Sequence, residues 1–75
     1  MTQNLHLEFK HRSTVLGEMK VWHMSHFDTP MDYHMRTKIV LEGHKPKLGF
    51  QVTVVHFRSE LEMSMFALQF GEYRV

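Results

Sequence analysis

"SELEMSMFALQFG", residues 59 to 71, decides the fold, because it can be read as a strand or as a helix. Ser59 and Glu62 stand at capping-box spacing, good helix formers follow, and Gly71 supplies a stop signal. Against the helix, Glu60, Glu62, Ser64 and Gln69 do not gather on one helical side. Leu61, Met63, Met65 and Ala67 do gather on one face of a strand, and over so short a window periodicity outweighs propensity. The stretch is therefore read as a strand over 60–70, with Ser59 and Glu60 in the turn before it.

Working outward, "FQVTVVHF" before this segment is β-branched and aromatic, and gives a strand over 49–57. "GHKPKLG" reads as a turn or short loop. "RTKIVLE" sets Arg36, Lys38 and Glu42 against Thr37, Ile39 and Leu41, a strand over 36–42. It has a helical rival: Thr29 as N-cap, Pro30 at N1, Met31, Met35 and Ile39 at i, i+4, i+8, and Gly43 as C′. Near the start, "LHLEFK" alternates Leu5, Leu7 and Phe9 with His6, Glu8 and Lys10, a strand over 4–10. "VLGEMKVWHM" places Met19 and Val21 opposite Glu18, Lys20 and Trp22, a strand over 15–24 with Gly17 at a bulge. The expected fold is all-β, a small five-stranded antiparallel barrel or strongly bent sheet. The alternative is α+β, in the order β-β-α-β-β, with a helix at 30–42.

Seventy-five residues are read as a single compact domain, 1–75, with a marginal core that a partner would help to cover. A hydrophobic fraction of 43% marks a folding chain. The chain has no Cys, which removes disulfides, thiolate metal sites and thiol nucleophiles and points to a reducing interior. No apolar signal core and no membrane-length apolar run is read, so the expected location is cytoplasmic, without a membrane partner. The net charge of +1 advertises no polyanion, although seven His would raise it at lower pH, near the ordinary imidazole pKa of about 6.5.

Chemistry concentrates in "VWHMSHFDTPMDYHM", residues 21 to 35. His23, His26 and His34, with Asp28 and Asp32, offer ligands for a transition metal such as Zn, Ni or Cu, and Met24, Met31 and Met35 offer soft thioethers. The spacing His23-x2-His26-x7-His34 aims no three rings at one point, so the expected cofactor is none, with a transition metal as the alternative. Trp22, Phe27 and Tyr33, together with His26 and His34, have the composition of an interface and are the expected partner-binding residues.

No nucleophile elbow surrounds Ser13, Ser25, Ser59 or Ser64, and the four isolated Gly form no phosphate-cradling loop. "HKPKLGF" with Arg36, Lys38, Phe50 and Phe57 holds the ingredients of a nucleic-acid binder, but alternation along the strand puts the two Phe on opposite faces. The expected function is a non-enzymatic protein-binding domain, an inhibitor or regulator of a larger macromolecule or a self-associating chain. Transition-metal binding and a nucleic-acid-binding small barrel are the alternatives.

Overall fold

The structure, a computed structural model, describes residues 5–75. The chain runs β1 (Leu5–Phe9), α1 (Ser13–Phe27), β2 (Asp32–Glu42), β3 (Lys45–Phe57), α2 (Glu60–Phe70) and a 3-10 turn (Gly71–Tyr73). It is α+β, and the all-β barrel is overturned. Three strands form one antiparallel sheet in the order β1-β3-β2. The C-terminal segment adds a fourth, single-residue rung through the Phe9–Arg74 bridge, flanked by Lys10 N–H to Tyr73 O at 2.8 Å and Val75 N–H to Glu8 O at 3.1 Å. The sheet thus has four contributing segments rather than five.

Both errors about helices have the same cause, a polar side chain turned inward. In α1 the inward stripe is Val15, Met19 and His23, at i, i+4, i+8, while Val21 stands 72% exposed. Scored by hydropathy, His23 and Val21 each point the wrong way, so the helical period over 15–24 is masked. In α2 the inward stripe is Glu62, Phe66 and Phe70, and Leu61 and Leu68 face out. The capping signal was sound: the Ser59 hydroxyl accepts from Glu62 N–H at 3.2 Å.

The proposed helix over 30–42 is also overturned, since β2 occupies it. Pro30 follows the end of α1 instead of starting a helix. Asp28 closes α1 in the left-handed conformation, φ 52°, and its N–H returns to Met24 O at 2.9 Å. Met31, Met35 and Ile39 form no buried helical stripe: Met31 is core, whereas Met35 and Ile39 lie along β2 and are exposed.

The strand read over 4–10 appears as β1, residue 4 lying outside the described residues. The other two strands are longer than expected, and Gly43 at φ +66° followed by His44 turns β2 directly into β3. β1 reaches only Thr53–Phe57 of β3, so the distal part of the β2–β3 hairpin projects as a two-stranded ribbon. Within it two residues of β3, Gly49 and Phe50, oppose Lys38 between the Thr37–Gln51 and Ile39–Leu48 pairs, a bulge. A Cβ on Gly49 would stand 2.1 Å from Lys38 O, so only glycine fits.

Alternation divides the sheet cleanly. One face, with Leu5, Leu7, Phe9, Val55, Phe57 and Tyr33, packs under both helices. Phe66 is the hub of that core, with ring centroids 5.3 Å from Phe9, 5.4 Å from Phe57 and 5.6 Å from Trp22. The opposite face carries no helix and presents His6, Glu8, His34, Arg36 and His56 around Val52 and Val54.

Candidate functional site

The segment 21–35 is not one loop. It is the last turns of α1, a tight turn and the first residues of β2, and this division scatters its side chains. His23 is buried at 1% exposure. Its Nδ1 lies 2.9 Å from Thr29 O, and its Nε2 lies 2.7 Å from Glu62 Oε1. A carbonyl oxygen only accepts, so Nδ1 carries a proton and donates to Thr29. A second proton must therefore occupy the Nε2–Oε1 contact, whichever partner holds it. The other carboxylate oxygen accepts from Arg58 N–H at 3.3 Å. One imidazole thus ties α1 to α2 and to the turn leading into β2.

Trp22 and His26 do come together: their rings stack at 4.2 Å, and His26 Nδ1 donates to Trp22 O at 2.9 Å. Phe27 is half-buried against His23, with ring centroids 4.9 Å apart. Tyr33 packs on the core, with Lys20 Nζ 3.4 Å from its hydroxyl. His34 points to the open face of the sheet, away from all four. Of the five expected contact residues, only Trp22 and His26 share an accessible surface; Phe27 and Tyr33 serve mainly in packing.

The proposed metal ligands fare similarly. His23 has both ring nitrogens engaged, by Glu62 and Thr29; His26 uses Nδ1 on Trp22 O; and Asp28 ends α1 through its backbone. His34 and Asp32 belong to the opposite side of the molecule from His26. Among the described residues, no three His, Asp or Glu side chains are arranged to hold a metal ion.

The accessible pair borders a groove of ≈ 610 Å³ between the helices, lined from α1 by Gly17, Glu18, Val21, Trp22, Ser25 and His26 and from α2 by Gln69 and Phe70. Leu68, 88% exposed, follows on α2, and Met24, also exposed, on α1. Glu18 is the one carboxylate among the lining residues.

Two further constellations were not found by reading the sequence. On the open face, His56 Nε2 lies 3.1 Å from His34 Nδ1 and the rings stack at 5.0 Å, a contact that requires at least one of them neutral. Beside them Glu8 meets Lys38 Nζ at 2.8 Å and Arg36 Nη2 at 3.2 Å, and the Lys38 hydrogen bond holds its carboxyl below the ordinary value. Lys10 stands 4.3 Å over Phe50 on this face while Phe57 lies in the core, as alternation requires.

The second constellation is His11 with Thr53. His11 Nδ1 donates to Arg12 O at 2.7 Å and its Nε2 lies 2.7 Å from the Thr53 hydroxyl, which in turn stands 3.3 Å from Met35 Sδ as a donor. Thr53 is 0% exposed, and the contact fastens the segment that leads into α1 to β3. Each of these pairs joins residues far apart in the chain, so no local spacing announces it.

The fold and surfaces define an α+β domain of β-α-β-β-α order with one apolar interhelical groove and one polar sheet face. No family model, curated protein or solved structure matches the chain. Among the described residues no helix is long and apolar enough to cross a membrane.

Proposed function

We propose that this chain is a small non-enzymatic domain of the cytoplasm that acts by binding another protein, as an inhibitor or regulator. The observation that carries this reading is the interhelical groove, with Trp22 and Phe70 among its lining and exposed Val21 at its side. Aromatic anchors in an apolar depression with a polar margin are where binding energy concentrates. The matching partner presents an apolar side chain over Trp22 and a basic residue toward Glu18.

Nucleic acid is the weaker reading, because Glu8 offsets one of the two charges of Arg36 and Lys38 on the open face and the chain's net charge is only +1. Metal binding through 23–35 is weaker still, given the dispersal of its ligands.

The test is capture of partners from the native host's lysate by the wild type and by Val21→Asp and Glu18→Lys, both at exposed lining positions that leave the core intact. The expected result is a partner lost from both variants. Retention of every partner at undiminished affinity would remove the groove as the binding surface.

A further inference from the structure

The projecting ribbon has two outer edges, and they differ. On the β3 side, Lys45, Pro46, Lys47 and the Gly49–Phe50 bulge each discourage the addition of another strand. On the β2 side, Ile39, Val40 and Leu41 follow one another without Pro, Gly or charge, at 68%, 45% and 73% exposure. Nothing among the described residues pairs with that edge, whereas the outer edge of β1 is partly closed by Tyr73 and Val75. An edge left flat and apolar beside one so well protected is a template for strand pairing.

The sequence of β2 specifies what pairs with it, because β2 is complementary to itself. In an antiparallel pair centred on Val40, Val40 lies opposite Val40 on the two-fold axis, and Ile39 opposite Leu41 and Lys38 opposite Glu42 of the second copy each occur twice by symmetry. Opposed residues share a face, so the Ile and Leu side chains cluster on one side while the charge pairs flank the two Val on the other. Neighbouring registers lack this fit. Centring on Thr37 sets Arg36 against Lys38 and Asp32 against Glu42, and centring on Ile39 keeps the Arg36–Glu42 charge pair but sets Lys38 against Val40 and Thr37 against Leu41.

We infer that the chain forms a two-fold homodimer through its β2 edges, centred on Val40, which joins the two sheets into one continuous sheet. This surface is separate from the interhelical groove, and the inference stands whether or not the groove binds a partner. The contact is short, at the low end of specific interfaces, so the dissociation constant is expected on the order of 10–100 µM.

The experiment is sedimentation equilibrium across that range on the wild type, Lys38→Glu, Glu42→Lys and a mixture of the two variants, each first shown to be folded by circular dichroism. Either substitution alone places like charges opposite each other twice, and is expected to weaken self-association at least about tenfold. Mixed one to one, the variants place opposite charges at both positions, and the dimer returns as a heterodimer. Because Lys38→Glu also removes a partner of Glu8 and Glu42→Lys the partner of Lys47, Val40→Lys provides a further disruption that leaves both ion pairs alone, and it too is expected to be monomeric. A wild type that stays monomeric throughout, variants that dimerise as well as wild type, a mixture that fails to restore association, or a dimer abolished by Val21→Asp instead would each overturn the proposal.

Discussion

His23 and Glu62 show how much one buried pair can determine. Removing Glu62 leaves an imidazole with a proton or lone pair facing apolar surroundings, which typically costs about 3 kcal/mol or more. Glu62→Ala is therefore expected to lose about that much in urea unfolding, while the double replacement His23→Leu with Glu62→Leu, which leaves no orphan, is expected to lose less than the single variant. Glu8 makes the opposite kind of contact, at the surface. Its carboxyl is held below the ordinary value by Lys38, so its contribution is present above the unfolded pKa of about 4.3 and fades as pH falls through the lower folded value. Glu8→Gln is expected to be about 0.5 kcal/mol less stable than wild type at pH 7 and to match it under strong acid, read from denaturation curves at both pH values. Neither pair was legible in the sequence, since Glu8 and Lys38 belong to strands that touch only through β3, and His23 and Glu62 to helices more than thirty positions apart. The aromatic and His content of 21–35 was visible, but which side chains would be inside depended on the phase of α1.

At the scale of the element, α1 contains one correctable weakness. Gly17 is exposed in mid-helix, and an added Cβ meets nothing within 4 Å. Gly17→Ala is expected to stabilise by about 0.5–1 kcal/mol, and Ser59→Ala to destabilise by about 1 kcal/mol through loss of the α2 cap, both measurable as shifts in the urea midpoint. Alternation read β1 correctly, because there every second side chain is apolar and packs under the helices, and β-branched and aromatic composition read β3. It failed in both helices for the reason given by His23 and Glu62, a hydrogen-bonded polar pair occupying core positions while Val21 and Leu68 stand outside. Capping chemistry at Ser59 was the better guide, since a cap reports local backbone geometry and is indifferent to what the far face of the helix buries.

For the whole molecule, stability is uneven. The amides of 53–57 lie between two strands and over the core, whereas the ribbon from Lys38 to Phe50 has one partner strand and little cover. Hydrogen exchange is expected to be slowest at Val55 and Phe57 and fastest around Gly43, with the ribbon slowing as concentration rises if the edges pair. The strand order carries one more consequence, for synthesis. β1 and β2 are not paired with each other; β2 pairs with β3, and β1 with β3 and the C-terminal segment, and both of these partners follow in the chain. A ribosome that has released residues 5–42 has made two strands with nothing to pair with and a helix with half its core missing. Vectorial folding from the N-terminus is thus closed to this topology, and the sheet must assemble around its last strand once α2 follows. A fragment ending at residue 44 is expected to show no protected strand amides in hydrogen exchange.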